Sequence, residues 1–149
     1  MSFKNNKKQI IVAVSGGFDP LHIGHVRLFQ EAKKLGDKLV VILNNDNWLR
    51  KKKGYVFMRE DERKEVVAAL AAVDEVVLTG HGPGTEDMSV NAELKKLKPD
   101  IFAKGGDRTL KNIPEVKVCK SLKCQMVFDV GHGGKIQSSA WLVSNRSKK

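Results

Sequence analysis

The chain has little cysteine and no long apolar run, and both absences narrow the class of protein. Its two cysteines, Cys119 and Cys124 in 149 residues, favour free thiols over a disulfide or a metal pair. No apolar stretch approaches the roughly 18–20 residues that a transmembrane helix needs. The opening residues, M-S-F-K-N-N-K-K-Q, include no apolar core of a secretory signal. These features predict a cytoplasmic protein with no membrane association.

Acidic residues are scarce relative to basic ones. Lysine and arginine number 27 against 17 aspartates and glutamates, which gives a formal net charge of +10. This excess favours an anionic partner, either a nucleotide with a phosphorylated substrate or a nucleic acid. Part of it lies at the two ends, 1–8 and 145–149, which we expect to be frayed. Because the chain shows no basic strand interleaved with aromatics and no recognition-helix motif, we expect no nucleic-acid partner.

Short apolar runs alternate with helical patterns along the whole chain. Five runs are typical of buried strands, at 9–14, 38–43, 75–79, 101–104 and 125–130. Helices are predicted at 23–35, 59–71, 89–97, 114–122 and from 138 onward, and the lysine-rich stretch 44–58 is predicted to be a loop. The alternation predicts one α/β domain over 1–149, with a five-stranded parallel sheet and helices on both faces.

The unusual sequences of the chain all follow predicted strands. They lie at 16–25, 44–55, 80–84, 105–107 and 131–139. In a parallel sheet the carboxyl ends of the strands lie along one edge, and ligands bind there near the point where the strand order reverses. We therefore expect these five segments to build one site.

The first of these segments carries the strongest chemical signal. Residues 15–25 read S-G-G-F-D-P-L-H-I-G-H, a glycine-rich turn between a strand and the start of a helix. Glycines let backbone N–H groups approach a phosphate, and the helix start adds partial positive charge. His22 and His25 lie about one helical turn apart, so both rings face the same point. A pair at this spacing is often only a cap or a core contact, but the glycine turn before it favours a phosphate site over zinc.

This stretch resembles the first signature of the cytidylyltransferase-like nucleotidyltransferases, G-x-F-D-x-x-H-x-G-H. The family fold is a small Rossmann-like sheet, and the resemblance implies nucleotidyl transfer from CTP or ATP to a phosphorylated small molecule, with release of pyrophosphate. In that reaction the two histidines would contact the phosphates and stabilise charge in the transition state. The resemblance implies nucleotide binding by Gly16, Gly17, Phe18, Asp19 and Gly24, with Asp19 also touching the substrate.

Two further groups of basic residues resemble basic residues of the family. Lys51, Lys52 and Lys53 follow the second strand, where the family carries lysines, and are predicted to form a mobile flap over the triphosphate. Of these, Lys53 is assigned to catalysis and Lys51 to the substrate, although a solvated charge run is an equally simple interpretation. Arg63 matches a recurrent family arginine and is predicted to bind substrate, and an exposed ion pair on a helix is the alternative.

The later motifs bear on the substrate. Lys104 opens a K-G-G-D sequence that is similar to the family's adenylyltransferases for heptose 1-phosphate, which implies a catalytic, phosphate-binding Lys104 and a nucleotide-binding Asp107. The segment with Gln137, Ser138 and Ser139 resembles the family's binding site for the β- and γ-phosphates, and the two serines are also good helix caps. The cytidylyl branch often has an arginine where His132 stands here, which favours ATP over CTP.

The function predicted from these residues is adenylyl transfer from ATP to a phosphorylated sugar, of the heptose 1-phosphate type, in carbohydrate metabolism. One alternative is a CTP-dependent enzyme acting on glycerol 3-phosphate or another phosphoalcohol. An alternative of another class is a non-catalytic module that binds nucleotide or nucleic acid. Mg²⁺ is expected to accompany the nucleoside triphosphate, with protein ligands unassigned. Family members are commonly dimers, so the resemblance also implies a homodimer.

Overall fold

The computed structural model describes residues 8–106, 113–131 and 143. These ranges contain five strands and five helices, with two helices between β2 and β3 and one helix between each other pair of successive strands. The strands are β1 (Ile11–Gly16), β2 (Lys38–Leu43), β3 (Glu75–Leu78), β4 (Ile101–Ala103) and β5 (Gln125–Val127). The helices are α1 (Ile23–Lys33), α2 (Asp46–Lys53), α3 (Glu60–Ala68), α4 (Asn91–Leu97) and α5 (Val116–Leu122).

The strands form one sheet in the order β3-β2-β1-β4-β5, and every pairing is parallel. The chain builds outward from β1 to β2 and β3, and then crosses to β4 and β5 on the other side. The strand order therefore changes direction beside β1. In open parallel sheets, ligands bind at this point, outside the carboxyl ends of the strands. The predicted five-stranded parallel sheet is confirmed.

Successive residues of the central strand face opposite sides of the sheet and are covered by different helices. Val12 of β1 packs in one cluster with Phe29 of α1, and α3 contributes to the same layer. Ala13, the next residue, packs in a second cluster with Leu94 of α4 and Cys119 of α5. Helices therefore cover both faces, as the sequence predicts. Both cysteines are buried free thiols, which confirms that prediction too.

The prediction of a loop over 44–58 was wrong, because half of this segment is α2. The side chain of Asn45 caps the helix by accepting a hydrogen bond from the Trp48 N–H at 3.0 Å. Gly54 ends it with φ of 86°, the left-handed conformation that glycine adopts without strain. Lys51, Lys52 and Lys53 therefore form the last turn of a helix rather than a mobile flap.

The other elements differ from prediction only at their ends. The last strand stops at Val127 rather than at 130, since Asp129 adopts a left-handed φ of 56° that interrupts extended backbone. The helix predicted from 138 lies outside the described residues except for Val143, and the basic end at 145–149 lies outside them too. Of the other basic end, only Lys8 is described. Across the described chain, no helix has the length and apolar character that crossing a bilayer demands.

Candidate active site

The two histidines of the H-I-G-H sequence together cap the N-terminus of α1. Nδ1 of His22 accepts a hydrogen bond from the Gly24 N–H at 3.0 Å, and the His22 N–H donates to Nδ1 of His25 at 3.2 Å. These two bonds form a reciprocal capping box with His22 at the N-cap. Because each Nδ1 accepts a hydrogen, each neutral ring carries its own hydrogen on Nε2. The cap therefore fixes the tautomer of both rings at the positive end of a helix.

Packing keeps the second histidine uncharged. The rings of His22 and His25 stack with centroids 3.7 Å apart, and Phe18 meets His25 edge-on at 4.8 Å. Burial lowers the pKa of His25 from 6.5 to about 3, and the neighbouring His22 and the charge of Lys53 lower it further. His25 is thus neutral near pH 7 and offers a hydrogen bond rather than a positive charge. Phe18, predicted to bind nucleotide, is itself buried and supports this ring.

Asp19 holds a neighbouring segment against the glycine turn. It is 1% exposed, and its two carboxylate oxygens accept hydrogen bonds from the backbone N–H groups of Phe57 at 2.7 Å and Met58 at 2.6 Å. Both oxygens are therefore engaged by protein. The structure shows Asp19 positioning the segment between α2 and α3, and its predicted contact with nucleotide and substrate stays a prediction.

Among the three consecutive lysines, the structure brings Lys53 to the glycine turn. Its Nζ donates a hydrogen bond to the backbone oxygen of Asp19 at 2.9 Å. Burial lowers the pKa of Lys53, Asp19 opposes that shift and Arg63 adds to it. Lys51, predicted to touch substrate, is exposed and forms no hydrogen bond or ion pair with any described residue. The side chain that lies at the site is therefore the one on the final residue of α2.

Arg63 is buried and binds three separate loops. It is 1% exposed, so the alternative of an exposed ion pair is wrong. Nε donates to the Met58 carbonyl at 2.8 Å, and one terminal nitrogen donates to the carbonyls of Gly17 at 2.8 Å and Asn44 at 2.7 Å. The other terminal nitrogen binds the Asp46 carboxylate at 2.7 Å. Arg63 thus joins the ends of β1 and β2 to α2, and it acts on the site through backbone.

Gly16 at the end of β1 and Gly17 after it permit close packing. A Cβ on Gly17 would lie 2.8 Å from the Leu49 side chain of α2. A Cβ on Gly16 would lie 2.8 Å from the ring of Phe18. These distances are shorter than van der Waals contact, so any larger residue would push α2 or the aromatic ring away from the turn.

A hydrogen-bond chain after β3 was not predicted from the sequence. The Asn45 N–H donates to Thr79 Oγ1 at 3.0 Å, which lies 2.8 Å from His81 Nδ1. His81 Nε2 lies 2.8 Å from the Ser89 carbonyl, which only accepts, so Nε2 carries the hydrogen and Nδ1 accepts from Thr79. The chain ties the loop after β3 to the start of α2. Its one sequence signal was the placement of His81 directly after a predicted strand.

Lys104 lies at the carboxyl end of β4, next to β1. Its Nζ is 3.4 Å from Ser15 Oγ and 5.0 Å from the ring centroid of Phe102. A Cβ on Gly105 would lie 3.1 Å from the Val130 carbonyl, so the turn that follows packs tightly on the segment after β5. The structure therefore brings Lys104 to the same edge of the sheet as the two histidines, as the sequence predicts.

Four predicted nucleotide-binding residues lie outside the described residues: Asp107, Gln137, Ser138 and Ser139. The ligands of a metal ion also stay unassigned. Within 8–106 and 113–131, no group of three or more histidine, cysteine or carboxylate side chains is arranged to hold an ion. Mg²⁺ often binds through substrate phosphates and only one or two carboxylates, so the expected ion does not require such a group.

Comparison with known sequences assigns the site to a family. The sequence model of the cytidylyltransferase-like family matches residues 13–139, which include the histidines, the lysines and the segments after β4 and β5.

Individual relatives carry two different names. A FAD synthase from Pyrococcus abyssi is 41% identical over 111 residues, covering 70% of this chain and 71% of that protein. The bifunctional protein HldE from Syntrophotalea carbinolica is 38% identical over 124 residues, and this chain spans 23% of its length. Among solved structures, a lipopolysaccharide core biosynthesis protein from Thermoplasma volcanium matches with a TM-score of 0.69 and 27% identity, covering 85% of this chain and all of that one.

Replacing Arg63 with lysine should destabilise the protein by about 3 kcal/mol, because one ammonium group cannot reach four acceptors and leaves buried carbonyls unpaired. Urea unfolding of the variant and the wild type measures the difference. Arg59→Lys is the matched control on the edge of the same helix, where the side chain is 70% exposed. Its change should stay within about 0.5 kcal/mol. Equal effects at both positions would contradict the role of Arg63.

His25 should make stability depend on pH in a defined window. The folded-state pKa of about 3 lies below the ordinary 6.5, so the unfolded chain takes up a proton at this ring that the folded chain does not. Stability is therefore complete above about pH 6.5 and is lost as pH falls toward 3. At pH 5 the wild type should have lost about 2 kcal/mol more than His25→Asn. Parallel curves of unfolding free energy against pH would rule out the neutral, buried state.

Proposed function

This chain belongs to the cytidylyltransferase-like family and is a nucleotidyltransferase, and we propose that it transfers an adenylyl group from ATP to a phosphorylated sugar. The observation that carries the proposal is the capped pair His22 and His25, fixed as neutral tautomers at the start of α1. Lys53 and Lys104 lie on the same edge of the sheet and supply positive charge. Such a set suits a reaction in which only phosphate charge has to be stabilised.

The proposed reaction is a direct displacement at phosphorus. An oxygen of the acceptor phosphate attacks the α-phosphorus of ATP and forms the new P–O bond. The bond between the α-phosphorus and the oxygen that bridges it to the β-phosphorus breaks, and pyrophosphate leaves with the electron pair of that bond. No covalent intermediate on the protein is needed, so catalysis consists of positioning and charge stabilisation.

Each site residue has a task in this displacement. The Nε2–H groups of His22 and His25 donate hydrogen bonds to phosphoryl oxygens as negative charge grows on them, and the N-terminus of α1 adds its dipole. Because the cap already fixes both rings, little reorganisation accompanies the reaction. Lys53 and Lys104 act as point charges on the phosphates of donor and acceptor. Asp19 and Arg63 hold the glycine turn and the segments on either side of α2, the helix that carries Lys53.

Two lines support ATP and a sugar phosphate. FAD contains an adenylyl group, so a relative named FAD synthase favours an adenine nucleotide as donor. The K-G-G-D sequence at Lys104 and relatives named HldE favour a sugar phosphate as acceptor. The CTP-dependent alternative, with a phosphoalcohol as acceptor, lacks comparable support.

A second acceptor is favoured by a separate observation. Tyr55 and Phe57 are 40% and 46% exposed, and they are the exposed aromatic side chains in the described part of the chain. Both lie on the segment that Asp19 holds against the turn, within four residues of Lys53. Exposed aromatic rings beside a phosphate site suit a flat acceptor that stacks on them. Flavin mononucleotide, the acceptor that FAD synthesis requires, is such a molecule.

Mg²⁺ is proposed to enter with the triphosphate, whose charge it would neutralise and whose oxygens would supply most of its ligands. We assign no described carboxylate to it, since no group of three or more histidine, cysteine or carboxylate side chains in the described ranges is arranged to hold an ion.

Pyrophosphate release across donors and acceptors tests the function. The four nucleoside triphosphates are each combined with heptose 1-phosphate, glycerol 3-phosphate and flavin mononucleotide, in Mg²⁺ buffer. Release is expected with ATP and one acceptor, and the acceptor identifies the branch. Release with CTP and glycerol 3-phosphate would replace the proposal with the cytidylyl alternative. No release in any combination, with ATP binding retained by calorimetry, would favour a non-catalytic nucleotide-binding module.

Asparagine variants separate the chemistry of the histidines from their structural role. Asparagine presents an oxygen near the position of Nδ1 and is a good N-cap, but it lacks Nε2. His22→Asn and His25→Asn should therefore fold and bind ATP while kcat falls about 100-fold or more. Lys53→Met should lower kcat about tenfold, whereas Lys52→Met on the same turn should leave it unchanged. Circular dichroism and kcat are the measurements, and full activity in either asparagine variant would remove the histidines from catalysis.

A further inference from the structure

The loop of residues 80–88, which follows β3, holds the start of α2 through two backbone carbonyls. The His81 carbonyl accepts hydrogen bonds from Nδ2 of Asn45 at 2.9 Å and from Nδ2 of Asn47 at 2.8 Å. The indole N–H of Trp48 donates to the Met88 carbonyl at 2.9 Å. Asn45 is the N-cap of α2, and the other two donors lie in its first turn. These bonds therefore fix the beginning of the helix.

Packing does little to fix the loop itself. Residues 82–84 are exposed. A Cβ on Gly80, Gly82 or Gly84 would meet no atom of a described residue within 4 Å, apart from its neighbours in the chain. Glycine also loses more conformational freedom on folding than any other residue. The positions of the two carbonyls must therefore come from the hydrogen bonds that the loop forms.

The ring of His81 ties both ends of the loop together. Its Nδ1 accepts a hydrogen bond from the Thr79 hydroxyl at 2.8 Å, and its Nε2–H donates to the Ser89 carbonyl at 2.8 Å. Thr79 and Ser89 flank the loop and are 4% and 5% exposed, so both partners belong to the protein interior. The Asn45 N–H donates to Thr79 Oγ1 at 3.0 Å. One side chain thus links the two ends of the loop to the N-cap of α2.

A small change at the start of α2 becomes a larger one at its end. The helix has eight residues, so it is about 12 Å long, and a tilt of about 5° would move its last residue by about 1 Å. That residue is Lys53, whose Nζ donates to the Asp19 carbonyl at 2.9 Å. A displacement of about 1 Å takes this pair out of hydrogen-bond range, and shifts of that size in a reacting group lower rates.

From these contacts we propose that His81 is a positioning residue of the nucleotidyl-transfer site, which acts on Lys53 through α2. The inference rests on the proposed role of Lys53 at the phosphates. Arg63 attaches α2 at Asp46, and Leu49 packs at the glycine turn. The loop after β3 then sets the tilt of the helix about these points. Both ring nitrogens of His81 are engaged by protein, so its effect requires no contact with substrate.

Kinetic coupling to Lys53 tests the proposal. His81→Phe keeps a ring but removes both hydrogen bonds, and it should lower kcat for pyrophosphate release from ATP about three- to tenfold. His81→Gln keeps a donor for the Ser89 carbonyl and should stay within about twofold of the wild type. In a Lys53→Met background, His81→Phe should change kcat by less than about twofold, since a residue that acts through Lys53 loses its effect there.

The control is Glu86→Gln, in the same loop. Glu86 is exposed and forms no hydrogen bond or ion pair with any described residue, so this variant should have the kcat of the wild type.

Hydrogen exchange tests the same proposal without turnover. In His81→Phe the amides of 46–53 should exchange about tenfold faster, while those of 11–16 in β1 keep their wild-type rates. His81→Gln and Glu86→Gln should leave both segments unchanged. Thr79→Val replaces the hydroxyl with a methyl group of similar size and breaks the same hydrogen-bond chain. It should reproduce the pattern of His81→Phe, and it decides the question if that variant does not fold.

Four results would overturn the proposal. These are unchanged exchange over 46–53, equal acceleration over 11–16, a loss of kcat that is the same in the wild-type and Lys53→Met backgrounds, and full kcat in Lys53→Met alone. Failure of the proposed function has a different signature. The wild type then releases no pyrophosphate with any donor and acceptor, and the exchange of 46–53 still decides whether His81 positions α2.

Discussion

The buried guanidinium of Arg63 is the interaction on which the site depends. Just past the ends of β1 and β2, backbone carbonyl groups no longer have hydrogen-bond partners in the sheet. A buried carbonyl without a partner lowers the stability of the fold. Arg63 supplies donors to the Gly17 and Asn44 carbonyls at once and balances its charge with Asp46. One side chain from α3 thereby sets the distance between the two loops and fixes α2 over them. The glycine turn and Lys53 take their positions from that arrangement.

The contacts around α1 fix the tautomer and the orientation of the two histidine rings, which an isolated helix would not do. Their Nδ1 atoms are consumed by the cap, and the rings are packed against each other and Phe18. The packing that buries His25, and so lowers its pKa, also holds its Nε2–H in place, so neutrality and orientation have the same cause. A rigid, neutral Nε2–H donor is well suited to phosphate oxygens. It has no counter-ion to lose when a phosphate binds, and it reorganises little as charge develops.

The sheet and the histidines were predictable from the sequence because both depend on local patterns. Apolar runs predict strands, and a glycine turn with two histidines at helical spacing predicts a phosphate site. The tasks of Asp19 and Arg63 were not predictable, because they depend on backbone atoms far away in the sequence. Asp19 binds N–H groups 38 and 39 residues away, and Arg63 binds carbonyls 19 and 46 residues away. Nor could a run of three lysines show that Lys53 reaches the turn, which depends on where α2 ends. The helix itself had local signals, Asn45 before it and Gly54 after it, that the density of lysines obscured.

The way the segment after α2 is anchored bears on how one site could serve different acceptors. Asp19 holds this segment through the N–H groups of Phe57 and Met58, and Arg63 holds it through the Met58 carbonyl. The segment contributes only backbone atoms to these contacts, so they do not depend on which side chains it carries. The side chains of Tyr55 and Phe57 are 40% and 46% exposed and take no part in these hydrogen bonds. Substitution there would alter the surface offered to an acceptor while leaving the histidines and Lys53 in place, which separates acceptor choice from phosphate chemistry.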